Sequence, residues 1–231
     1  MLIVHENMFE EASVIAEVVN NTYGIESSIK SIDLRDVFIP IPEFDGYLIF
    51  INEVELALRK FLAEIGSGIE KAVFVLTPRD LFLEKGSRDD DWVFGYNSGK
   101  NSVVSVARLK REDNRPSDTL QVHKDLYRAR LKLLGVHEIG HDIVKGKHMQ
   151  SATCVNAKTG YESSLGAHCT DNTCVMYEVI DIKTPKPTEE YMLLGTEKRF
   201  DAGLDDLILG LRADYLCSDC RNSVKIDESY R

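Results

Sequence analysis

The pentapeptide His137-Glu138-Ile139-Gly140-His141 constrains this 231-residue chain more than any other feature in it. It lies at the end of a stretch whose apolar residues step at helical intervals. Leu120, Tyr127, Leu131 and Leu134 fall on one stripe, at spacings of seven, four and three. Ser117 is placed to cap that helix, and the acidic Asp118 suits the positive end of its dipole. The spacing predicts a helix over about 118–143. The stripe runs on into Glu138 and His141, so an apolar face ends in polar groups, as it does when a helix end enters a site. Residues four apart share one helix face, so both imidazoles can reach a single ion. Glu138 lies about 100° round from His137, too far to be an obvious third ligand but able to reach a water on that ion. This is the geometry of a zinc hydrolase; two incidental histidines on a helix are the bland alternative.

A helix with one apolar face needs a core to cover it. Residues 71–77 are a short β-branched and aromatic run, the pattern of a buried strand, with Pro78 and Asp80 as turn residues. Trp92–Tyr96 and Ser102–Arg108 read as two more strands, joined by a hairpin loop over Asn97–Asn101. Residues 7–21 read as a first helix. Residues 47–66 open with an apolar run, continue helically through Leu56, Leu58, Phe61, Leu62 and Ile65, and are closed by Gly66 and Gly68. Residues 149–167, rich in Ser, Thr, Gly and Asn, read as a loop, and helical periodicity returns over 203–216. The expected class is α/β (α+β) in a single domain over 1–231. An N-terminal lobe of mixed sheet and helices, including the motif helix, spans about 1–146. A small, loop-rich helical lobe spans about 147–231.

Lys and Arg number 28 against 38 Asp and Glu, a net charge of −10, which speaks against sequence-general nucleic-acid binding. No apolar run reaches the roughly 18 residues of a membrane span. The opening MLIVHENMFEE turns acidic too early for a signal peptide. The expectation is a cytoplasmic protein with no nucleic-acid or membrane partner. In a reducing compartment, metal ligation or burial comes ahead of disulfides as the role of the five cysteines.

A catalytic zinc needs a third protein ligand and an open position. His148 follows His141 by seven residues and His168 by twenty-seven. The compact form HExxHxxGxxH places a glycine and a third histidine where this chain has Val144 and Lys147. His168 is joined to Cys169 and followed by Cys174, Val175 and Met176; Cys217 and Cys220 form a CxxC. Four cysteines paired in this way suit a tetrahedral structural zinc. Disulfides, separate buried thiols and a redox-active CxxC are the other readings.

HEIGH, then HC-x4-C-x-M, then CxxC: in this order the motifs resemble those of the archaemetzincins, metzincin-clan zinc proteins with a catalytic zinc and a second, four-cysteine zinc. The resemblance covers most of the chain beyond about residue 70, where Val93-Phe94-Gly95 and the run Val104–Leu109 are similar to the family's strands. It implies a metzincin-like fold and a zinc metallopeptidase acting on a peptide or protein, with two zinc ions per chain. It implies His137, His141 and His168 as ligands of the catalytic zinc and Glu138 as general base. Met176 would form the apolar floor beneath the imidazoles, and Cys169, Cys174, Cys217 and Cys220 would hold the structural zinc. A strand near 102–108 would hold substrate in extended form along the cleft edge.

The chain departs from the family in two places. About twenty extra residues separate His141 from His168, and Gly166 stands where it could replace the missing glycine's turn. Forty residues separate Met176 from Cys217, and an insertion around 181–200 would account for them at little cost in closure entropy. His168 is preferred to His148 as third ligand because it adjoins Cys169. His5 and His123 read as ordinary surface or core residues. Cys154 reads as a free thiol, with a metal role as the alternative. The rival reading of the whole is a catalytically degenerate zinc-binding module or scaffold.

Overall fold

The computed structural model describes residues 1–32, 39–40, 47–50, 58–63, 71–82, 92–109, 124–147, 149–155, 162–171, 174–176 and 215–230. The chain runs β1 (Leu2–His5), α1 (Phe9–Tyr23), β2 (Ser28–Ser31), β3 (Ile39–Pro40), β4 (Tyr47–Phe50), β5 (Val73–Thr77), β6 (Asp80–Phe82), β7 (Trp92–Val93), β8 (Gly95–Ser98) and β9 (Asn101–Ser105). There follow α2 (Lys124–Ile143), β10 (Gln150–Val155), β11 (Glu162–His168), α3 (Ser218–Asn222) and a 3₁₀ turn at Glu228–Tyr230.

The central sheet has five strands in the order β2-β1-β5-β9-β8. The first four are mutually parallel, and β8 pairs antiparallel to β9 at the edge. Successive strand residues point to opposite faces, and here both faces are covered. Ile3, Phe74, Leu76 and Val104 pack with α1 and α2, while Leu2, Val4, Val73, Val75 and Val103 meet Leu58, Leu62 and Leu81 on the other side. That is why residues 71–77 form a near-continuous apolar run: parallel strands buried on both faces do not alternate. A smaller sheet, β3-β4-β6-β7, stands beside it.

Helices α1 and α2 lie on one face of the main sheet. A Cβ at Gly135 would meet the Ile15 side chain at 2.5 Å, so that glycine lets the two helices approach closely. α1 buries Ala12, Ile15, Val18 and Val19 and ends at Gly24, whose left-handed φ of 72° closes the helix. In α2, Tyr127, Leu131 and Leu134 are buried as their spacing predicts; Leu120 and His123 lie outside the described residues. Among the described residues no helix is long and apolar enough to cross a membrane.

Several expectations need correcting. The run Trp92–Tyr96 is not one strand: Trp92–Val93 pairs with β6 in the small sheet, and Gly95–Ser98 joins the main one. The hairpin turn is two residues long, with Gly99 at a φ of +70°, a conformation that glycine adopts freely at the first central position. Asp80 opens a short strand instead of a turn. Residues 149–167 are not a loop throughout, because β10 and β11 pair antiparallel with a register shift between Ala152 and Thr153. Small polar residues paired through their backbones leave little trace in a hydropathy pattern. The periodic run 203–216, except 215–216, and the insertion around 181–200 lie outside the described residues.

Candidate metal centres

The last turns of α2 carry the first centre. The His137 and His141 Nε2 atoms face each other at 3.0 Å, close to the roughly 3.3 Å edge of a tetrahedral site with ~2.0 Å zinc–nitrogen bonds. The third imidazole comes from β11. His168 pairs with Gln150 in the antiparallel ladder, so the extra residues after α2 run out along β10 and return along β11 almost to where they left. This accounts for the long spacing. Ring centroids of His168 lie 5.4 Å from His137 and 4.8 Å from His141, and one nitrogen from each of the three falls within 4.8 Å of the others. His148 lies outside the described residues. His5 is a core histidine whose Nδ1 accepts the Met8 N–H.

Each ring of the α2 pair is fixed from behind. His137 Nδ1 donates to the Val175 carbonyl at 2.7 Å, which leaves Nε2 with its lone pair. The Ala167 carbonyl, one residue before His168, takes a hydrogen bond from the His141 ring. Burial, with His141 and His168 close by, holds His137 well below the ordinary imidazole range, and burial likewise pulls His141 down to about 4. Both rings are therefore neutral at pH 7. Two neutral nitrogens facing each other across 3.0 Å, with a third nearby, form a donor set that fits zinc.

Glu138 is buried, and burial raises its carboxyl pKa to about 8. It rests against the edge strand: a Cβ at Gly95 would lie 2.8 Å from its Cγ and overlap the carboxyl group. Its backbone carbonyl accepts hydrogen bonds from Asn97 Nδ2 at 3.0 Å and Ser102 Oγ at 3.4 Å, so β8 and β9 are tied to the motif helix at this residue. β9 is paired on both sides, so among the described residues the edge strand nearest the motif helix is β8 and not the strand near 102–108.

Met176 is fully buried against the motif helix at Gly140. A Cβ at Gly140 would collide with its Sδ and come within 2.8 Å of the Tyr23 hydroxyl. Gly140 is thus a place where only a hydrogen fits, even though an interior helical glycine costs about 1 kcal/mol. No glycine stands three residues after His141; Gly146 instead opens a turn further on, its carbonyl accepting the Met149 N–H at 3.2 Å. α2 stops at Ile143, and Val144 bridges to Val224, with Lys225 N–H donating to the Ile143 carbonyl at 2.7 Å. Gly166 lies inside β11 opposite Ala152, so it makes no such turn.

The second centre gathers Cys169, Cys174, Cys217 and Cys220, whose sulfurs all lie within 4.8 Å of one another. Cys169 and Cys217 stand 3.8 Å apart, about the edge of a tetrahedron with 2.3 Å zinc–sulfur bonds. Backbone N–H groups of Asp171, Cys217 and Cys220 donate to Cys169, Cys174 and Cys217 at 3.3–3.4 Å, an arrangement that favours thiolates. Hydrogen bonding from Cys220 pulls Cys174 down to about 6, while burial pushes Cys169 up to about 12. None of the four is in a disulfide. Cys154 lies in β10, away from the four by sequence and paired through its backbone with Ser163.

Gly95 and Gly140 fall inside runs the sequence singles out, though not for the close contacts they permit; Asn97, Ser102 and the Val175 and Ala167 carbonyls have roles that no motif marks. Gly140 carried the one available signal, a glycine inside a helical pattern.

No family model matches the sequence, and no curated protein matches it. Solved structures do. A zinc-dependent peptidase from Methanocorpusculum labreanum aligns with a TM-score of 0.54 at 18% identity, covering 97% of this chain and 99% of that one. The archaemetzincin from Archaeoglobus fulgidus aligns at 0.49 and 18% identity, covering 97% and 100%. The archaemetzincin from Methanopyrus kandleri aligns at 0.44 and 21%, covering 90% and 93%. At such identities the likeness is one of fold: this chain has a mixed α/β fold similar to that of the Methanocorpusculum labreanum structure.

Proposed function

We propose that this chain is a zinc metallopeptidase in which His137, His141 and His168 hold a catalytic zinc, Glu138 is the general base, and the four cysteines hold a structural zinc. The chain then carries two ions in a single two-lobed domain, acts on peptides or proteins, and works in the cytoplasm. The observation that supports this most is the convergence of three imidazoles from α2 and β11, with the buried Glu138 carboxyl of α2 packed against Gly95 of the edge strand β8.

A peptide can add to β8 as a further strand, through main-chain hydrogen bonds. Gly95, with no side chain, leaves the Glu138 carboxyl room at that edge. When bound, zinc supplies polarisation of the scissile carbonyl and acidification of water. Burial alone raises the Glu138 carboxyl to about 8; beside a cation it returns to the ionised form, in which it takes a proton from the attacking water and delivers it to the leaving amine. The tie from Asn97 and Ser102 to its backbone holds the base at a fixed height against the strand where the peptide lies. Val175 and Ala167 keep two of the ligand rings in the orientation that offers their nitrogens inward.

Glu138→Gln tests this. Hydrolysis of a defined peptide mixture, followed by mass spectrometry, should fall about 100- to 10,000-fold with zinc content unchanged. Undiminished hydrolysis would remove Glu138 from the role of base.

A further inference from the structure

The two centres share a stretch of backbone. His168 and Cys169 are consecutive, yet one belongs to each site. Cys174 and Met176 flank Val175, whose carbonyl orients His137 at 2.7 Å. Cys169 N–H donates to the Met176 carbonyl at 2.7 Å, which closes the two ends of this stretch onto each other. Val175 N–H donates to the Tyr215 carbonyl at 2.8 Å, and two residues further on Cys217 N–H donates to Cys174 Sγ at 3.4 Å. The group behind His137 is thus held between a cysteine ligand on its own segment and the segment bearing the other two cysteines. Met176, next along, fills the hollow at Gly140 between the two ligand candidates of the motif helix.

We propose that the two metal sites are linked: an ion on the four cysteines holds Val175 and His168 in place, and so raises the metal affinity of the three-histidine site. This rests on the reading of both sites as zinc sites. Core packing and two backbone hydrogen bonds bring these segments together, and an ion on the four sulfurs would fix their spacing. Without an ion, Cys174 is joined to Cys217 by hydrogen bonding, at 3.4 Å from the Cys217 N–H, and the Val175 carbonyl is held less firmly behind His137. Losing the hydrogen-bond partner of a ligating histidine lowers metal affinity by about 10- to 100-fold. Linkage is reciprocal, so an ion on the histidines raises the affinity of the cysteine site by the same factor.

The test uses the full chain and cobalt(II) as probe. Thiolate-to-cobalt charge-transfer absorption reports the cysteine site and visible ligand-field bands report the histidine site, each titrated against a competing chelator. Cys217→Ser removes one thiolate and keeps a side-chain oxygen that can cap α3. Cobalt affinity at the histidine site should then fall about tenfold or more. In His141→Ala, the affinity of the cysteine site should fall by a comparable factor. If Cys217→Ser fails to fold, as judged by circular dichroism, the His141→Ala arm carries the test. Affinities changed by less than about threefold in a folded variant would overturn the linkage. A wild-type chain that takes no cobalt at the histidines would overturn the proposed function itself. Two ions with independent affinities would overturn only the linkage.

Discussion

His137 and His141 stand on a 20-residue helix, packed against α1 on one flank and tied to the sheet edge on another. The four cysteines come from a five-residue helix and from short segments outside any strand. The first centre is built on a scaffold that exists for other reasons: α2 buries Leu131, Leu134, Val136 and Ile139 whether or not a metal is bound. The second lies in short segments that enter the same core through Val175, Met176 and Leu216 but carry little regular secondary structure, so an ion adds cross-links that backbone ladders do not provide there. A pre-formed, three-ligand site with a carboxyl beside it suits chemistry, and a four-thiolate site with no open position suits structure.

The sharpest way to break this comparison is to remove metal. Chelation should lower amide-exchange protection at 168–171, 174–176 and 215–222 by about 10- to 100-fold, while α2, β5 and the 224–230 segment bonded to Ile143 and Ala72 keep theirs. Uniform loss across the chain would mean that α2 is no more self-supporting than the cysteine segments.

Gly140→Ala should come next in size. The added methyl meets Met176 and Tyr23, and overpacking of that kind costs about 1–3 kcal/mol in denaturant titration. It should weaken metal binding at the histidines as well, because the helix must shift to make room. An Ala variant as stable as the parent would show that Met176 does not press on the motif helix.

Asn97→Ala should have the smallest effect. It deletes hydrogen bonds to the Glu138 carbonyl and Ser102 and an exposed one from Gly99, together worth about 1–2 kcal/mol, and should leave the cysteine site's cobalt spectrum unaltered. A changed charge-transfer band would mean that the sheet edge reaches the second centre, and the two scaffolds would not be separable.

How much of this could be read from the sequence follows the same division. α2 and β5 announced themselves because burial writes a period into hydropathy: Leu131 and Leu134 on one stripe, Val73–Thr77 as a solid run. The seven ligand candidates were legible because zinc chemistry restricts residue type. The β10–β11 pair was not, since it is held by backbone pairing and its sequence carries no alternation. The same holds for the orienting groups, since the carbonyls of Val175 and Ala167 act through atoms that every residue possesses. Replacement of the expected glycine turn by the Val144–Val224 bridge was hidden for a further reason: the partner lies eighty residues away.

The central claim, two zinc centres that divide catalysis from structure, is tested most directly by the zinc content of the purified full chain. Elemental analysis should give two zinc ions per chain in the wild type and one in His168→Ala, with the remaining ion protected by the cysteines. One zinc per chain, unchanged by His168→Ala, would contradict the account.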